Sequence, residues 1–167
     1  MKIAADAGMP VVDIEAASPL WAQQPEAEAM VRAAIAAAAQ CVPAAGEVSV
    51  LLTDDAAIRV LNRDWRGIDK PTNVLSFPHQ SDPGPFALIG DIAIAYETLA
   101  REAVAEEKPF LHHLAHLAVH GFLHLMGYDH ETDSQADAME QLERDILARL
   151  EILDPYRVQE LHEPGNA

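Results

Sequence analysis

Cysteine is nearly absent from this chain: Cys41 is the only one in 167 residues. A single thiol excludes an intramolecular disulfide framework and fits a reducing compartment. Basic residues are also scarce, with 11 Lys and Arg against 27 Asp and Glu and a formal net charge of −16. Such a surface repels a phosphate backbone, so a nucleic-acid ligand requires a local basic patch built from few side chains. No basic segment followed by an apolar run opens the chain, and no apolar run is long enough to cross a bilayer. The Ala-rich stretch 28–42 comes nearest, but Arg32 and Gln40 interrupt it. The expectation is a soluble, cytoplasmic protein without a membrane partner.

Half of the residues are apolar and 23% are charged, and the length suits one domain with its own core. Periodicity and Pro/Gly punctuation predict strands over 9–17, 47–53, 73–77 and 87–96. Helices are predicted over 25–42, from a Thr53 or Asp54 cap to about Trp65, from about 97, from Pro109 to Met126, and over 133–153. Gly90 marks a bulge or a close backbone approach. The loop 78–85 (PHQSDPGP) is expected to be mobile and residues 156–167 to fray. No repeat or linker divides the chain, so residues 1–155 read as one α+β domain.

Three of the eight histidines fall in HGFLHLMGYDH, residues 120–130. On a helix, His120 and His124 share a face with Cβ atoms about 5–6 Å apart. Gly127 can end that helix in the left-handed conformation and let the chain return with His130. Three imidazoles with a fourth position left open is the ligand set of a catalytic zinc. The ordinary alternative is a pair of helix histidines with no ligand. The spacing is that of the metzincin signature, except that the position of its catalytic Glu holds Gly121. Glycine cannot accept a proton from metal-bound water, so the ligand frame is present without the peptidase base.

HLAVHGFLHLMGYDH (116–130) resembles the signature of the YbeY family of metal-dependent endoribonucleases. LNRDWRGIDKPTNVLSFP (61–78) resembles that family's second block and LIGDIAI (88–94) its third. Trp65 stands where the second block usually has Tyr, so an aromatic is kept. The resemblance covers residues 47 to about 155. It implies one α+β domain, a small mixed sheet packed with helices, and a zincin-like site on a central helix. One zinc ion would be held by His120, His124 and His130. It further implies cleavage of single-stranded RNA, maturation of the 16S rRNA 3′ end, and a role in ribosome quality control.

Arg59, Arg63, Arg66 and Lys70 gather four of the eleven basic residues. Arg59 and Arg63 read as a solvated helix face paired with nearby Asp residues. Arg66 matches an Arg of the second block, and its guanidinium is the candidate catalytic group, suited to bind the scissile phosphate in bidentate fashion. Thr72, Asn73 and Ser76 are possible polar contacts. His116 reads as a supporting or core residue, and His112 and His113 as exposed or structural. Asp91 is balanced between a functional role, orienting a ligand histidine or positioning water, and a buried, hydrogen-bonded strand carboxylate. Asp129 fits a turn cap, and Glu140 and Glu143 read as a solvated face.

The acidic composition predicts weak, salt-sensitive binding to naked RNA. A ribosome or ribosomal protein is then the expected partner that presents the substrate. Two other functions compete: a zinc peptidase or small-molecule hydrolase, and a non-catalytic ribosome-assembly factor whose zinc only holds the fold.

Overall fold

The computed structural model describes residues 8–79 and 87–156. Most of the expected mobile loop, and the tail from residue 157, lie outside the described residues. Four strands, β1 (Val11–Ala16), β2 (Glu47–Thr53), β3 (Val74–Pro78) and β4 (Leu88–Ala95), form one sheet in the order β1-β2-β4-β3. β1 and β4 run parallel to β2, and β3 runs antiparallel to β4, so the sheet is mixed. Among the described residues, five α-helices pack with this sheet to give the α+β fold: α1 (Ala27–Cys41), α2 (Asp55–Arg66), α3 (Tyr96–Ala105), α4 (Phe110–Leu125) and α5 (Asp133–Ala148).

Alternation along the strands divides their side chains between two faces. Val48, Val50, Leu52, Ile92 and Ile94 face the main core, where they meet Ala34, Ile35, Leu114, Ala118 and Phe122 from α1 and α4. On the opposite face a smaller cluster, Ile58, Leu75, Ala93 and Ala95, lies under α2. α4 is consequently buried over most of its length and is the central helix of the domain. Among the described residues, no helix is long and apolar enough to cross a membrane.

Gly90 serves both purposes expected of it. The β2–β4 register shifts beside it, pairing Glu47 with Leu88 but Val48 with Gly90. A Cβ there would lie 2.5 Å from Leu125 Cδ2 and 2.7 Å from the Phe77 carbonyl oxygen, so only glycine lets α4 come this close.

Two features depart from the sequence-based expectation. A short 3-10 helix, Pro19–Gln23, follows β1, capped by Ser18, whose hydroxyl accepts from Leu20 N at 3.3 Å. It carries Trp21 into the core, where Nε1 donates to the Thr53 carbonyl at 2.8 Å. α5 stops at Ala148 and not near 153, because Glu151 takes a left-handed conformation (φ 59°). Glu151 N then bonds Ala148 O and Ile152 N bonds Leu147 O, closing the helix end.

Candidate metal centre

α4 delivers His120 and His124 on one face, and its end delivers the third histidine. Gly127 has φ 97°, Gly127 N bonds His124 O at 3.1 Å, and Tyr128 N bonds Leu123 O at 3.0 Å. These two bonds form a Schellman motif, which only a left-handed residue permits. The chain reverses and Asp129 accepts from His130 N at 2.7 Å, setting the turn that brings His130 back. One ring nitrogen from each of His120, His124 and His130 lies within 4.8 Å of the others. His120 Nε2 and His124 Nε2 are 3.0 Å apart.

Beneath the histidines lies a residue that the sequence reading placed wrongly. Glu143 was expected on a solvated face of α5, but its side chain is wholly buried (0% exposed). His120 Nδ1 sits 2.5 Å from Glu143 Oε2, His116 Nε2 lies 3.4 Å from Oε1, and the Tyr156 hydroxyl donates to Oε1. Burying an isolated carboxylate is costly, and these three donors offset that cost. Burial by itself disfavours the charged form, yet the hydrogen bonds and charge of His116 and His120 outweigh it and hold the carboxyl well below its ordinary range. A signal for this was present in the helix period. Met139, Glu143, Ile146 and Leu147 form the buried stripe of α5, so the carboxylate occupies an apolar position.

The Glu143 contact assigns the His120 tautomer. A proton on Nδ1 directed at the carboxylate leaves Nε2 with a free lone pair, as a metal ligand requires. Burial, and then the proximity of His120 and His130, push the His124 pKa below its ordinary value, which favours the uncharged imidazole that binds a cation. Neutral imidazoles suit zinc and similar transition ions, whereas calcium and magnesium prefer oxygen ligands. The three histidines therefore fit the ion that their spacing implied. His116 supports Glu143, in keeping with its expected auxiliary place. His113 is buried and pairs with Glu102 at 2.8 Å, a structural role.

Arg66, the last residue of α2, lines the same cleft as His120, His124 and His130, a cavity of about 470 Å³. Its Nη2 donates to the Ser76 carbonyl at 3.2 Å, which holds the side chain over β3. Arg59 pairs with Asp69 at 2.7 Å and Arg63 with Asp64 at 3.0 Å, so both belong to the solvated face expected of them. Asn73 is committed to Glu102 and the Ser76 hydroxyl to the Gly121 carbonyl, leaving their side chains tied to the scaffold. Asp91 is neither the buried strand carboxylate nor bonded to a ligand histidine. It is half exposed (48%), pairs with His79 at 2.8 Å, and lies in the groove next to the cleft.

Fold and site together describe a single-domain α+β protein with a candidate three-histidine metal centre on a central helix, open to an arginine-walled cleft. The chain belongs to the endoribonuclease YbeY family, whose model matches residues 15–151. It is 55% identical over 161 residues to a Bradyrhizobium sp. protein named Endoribonuclease YbeY, covering 91% of this chain and 95% of that one. A Rhodopseudomonas palustris protein of the same name is 56% identical over 160 residues, covering 90% and 92% of the two chains. The fold matches a Thermotoga maritima protein solved in solution, with TM-score 0.52, 23% identity, and coverage of 94% and 97%.

Proposed function

We propose that this protein is a zinc-dependent endoribonuclease that cleaves single-stranded RNA. Its substrate is the 16S rRNA precursor near the 3′ end, met in the cytoplasm on ribosomal particles in the course of maturation and quality control. The observation that carries this reading is the shared cleft: Arg66 and the histidines converge on one cavity in a chain of an endoribonuclease family.

His120, His124 and His130 would hold the ion, which supplies a more acidic water and polarises a phosphate oxygen. The chain's own residues do the rest. Glu143 and His116 keep His120 in its tautomer and orientation. Arg66, braced on Ser76, binds the phosphate and stabilises the charge that develops on it. Among the described residues, Asp129 and Glu131 are the carboxylates that line the cleft, where either could take a proton. Gly121 offers no base, which separates this centre from that of a zinc peptidase.

The test is incubation of metal-loaded protein with RNA carrying the 16S 3′ end, comparing wild type with Arg66→Ala and His120→Ala. Cleavage by wild type and its loss in both variants is expected. Equal activity in all three would overturn the mechanism. His124→Ala distinguishes a catalytic ion from a structural one: the former predicts a folded, inactive protein, the latter an unfolded one.

A further inference from the structure

A second cavity, of about 760 Å³, adjoins the metal cleft, and Arg66, Ser76 and Pro78 line both. It crosses the face of the sheet that α2 covers only in part. Leu61 and Trp65 of α2 form one wall, and the strands form the floor. Strand register places Asp13, Ser49, Asp91 and Phe77 in one row across all four strands. Trp65 is 72% exposed and meets Phe77 edge to face at 6.1 Å.

We infer that this groove is the nucleobase subsite beside the scissile phosphate, with Trp65 as stacking platform and a preference for guanine. The inference rests on the endoribonuclease reading of the adjoining cleft. Charge decides which part of a nucleotide enters. Asp13, Glu15 and Asp91 line the groove, and the basic residues lining it are Arg66, at the boundary with the metal cleft, and His79, whose ring is taken up by Asp91. A phosphate is repelled by such walls and is left at Arg66, while an uncharged base is admitted.

Recognition of unpaired RNA commonly combines an aromatic platform with hydrogen bonds to the Watson–Crick edge. Ionised carboxylates accept and never donate, so the edge they read must be rich in donors. Guanine presents two adjacent donors, N1–H and the 2-amino group. Adenine and cytosine set one amino group beside an acceptor, and uracil sets one N–H between two carbonyls. Asp13 and Glu15 have no side-chain partner among the described residues, so their acceptors are free for this purpose. Asp13 and Asp91 stand two strands apart, about 9–10 Å, which leaves room for one base between them.

Short single-stranded oligonucleotides, made uncleavable by 2′-O-methyl groups, test the subsite by binding. One position is varied through G, inosine, A, C, U and an abasic site, and the cleavable series gives KM and kcat in parallel. Guanine is expected to bind best and to quench the exposed Trp65, with inosine falling toward adenine. Trp65→Ala is expected to weaken binding about tenfold or more and to erase the difference between G and the abasic site. Asp13→Asn is expected to narrow the preference for G over A while the abasic oligonucleotide binds as before. Melting curves confirm that the variants are folded. Binding that ignores the varied base and Trp65, while cleavage still depends on Arg66, would overturn the subsite and leave the nuclease reading standing. A Lys/Arg-rich peptide that shifts Trp65 fluorescence where the oligonucleotide does not would assign the groove to a protein and equally overturn it. Wild type that neither binds nor cuts RNA would remove both readings.

Discussion

His120 Nδ1 lies 2.5 Å from the carboxylate of Glu143, a residue 23 positions later in the chain and on another helix. The contact joins the candidate metal centre to the hydrophobic core, since Glu143 is flanked on α5 by Met139, Ile146 and Leu147, all buried. Glu143→Gln keeps the volume but loses the charge that holds the His120 proton. Metal affinity, measured by chelator competition, is expected to fall about 10–100-fold. An unchanged affinity would show that Glu143 serves packing alone.

Tyr156 closes the same network from the other end of α5. Its hydroxyl donates to Glu143, Arg144 lies over its ring at 5.2 Å, and the ring stands edge-on to His116 at 5.6 Å. Burial, together with the bond to Glu143, drives its hydroxyl far above the ordinary tyrosine range, so it remains a donor. Tyr156→Phe removes one donor from a buried carboxylate, at a cost of about 1–3 kcal/mol in urea unfolding. A smaller drop in metal affinity than for Glu143→Gln should accompany it, and a wild-type unfolding midpoint would contradict this account.

Gly121 is explained by packing. A Cβ there would lie 3.0 Å from Ile92 Cγ2 and 3.2 Å from the Ser76 hydroxyl, where α4 presses on β3 and β4. Gly121→Glu, which restores the metzincin pattern, is therefore expected to destabilise the fold by about 1–3 kcal/mol or more, without producing a peptidase. Urea unfolding and a casein assay check the two halves of this prediction.

Among the described residues, Arg66 makes one side-chain hydrogen bond to the scaffold, so its loss should spare the fold. Arg66→Ala is expected to lower kcat about 10²–10³-fold on single-stranded RNA. Arg66→Lys keeps the charge but not the fork, and should recover only part of that loss. A fall in melting temperature that matched the fall in activity would point to a structural residue.

Acid sensitivity should arise partly at Glu102. Burial raises its pKa, but hydrogen bonds from His113 and Asn73 and the charge of His113 outweigh that, so the folded value lies below the ordinary 4.5. A depressed carboxyl contributes its full stability above the unfolded pKa and loses it as pH falls through the folded one. The melting-temperature gap between wild type and Glu102→Gln should therefore be full above about pH 5. It should shrink once the pH falls below 4.5. A gap that widened toward acid would reverse the assignment.

Much of this protein was legible from local pattern. The strand limits 47–53 and the Asp54 cap of α2, which accepts from Ala57 N at 2.9 Å, follow from alternation and capping chemistry. The Pro109 start of α4 follows from the fixed φ of proline, and the Gly127 turn follows from the steric freedom of glycine. Two helix ends were not legible. α3 ends at Ala105 and α5 at Ala148, and shortly after each end a glutamate turns left-handed, Glu107 at φ 55° and Glu151 at φ 59°, where no glycine announces the turn.

By itself, the sequence determined the order of elements and the grouping of His120, His124 and His130, because their spacing lies within one helix and the turn that ends it. Only the tertiary structure decided the surroundings. It placed Glu143 under His120, Arg66 across the cleft, Ile92 against Gly121, and the open sheet face beside Trp65. Each of these relationships joins separate elements, and its position depends on how those elements pack, which no local period records.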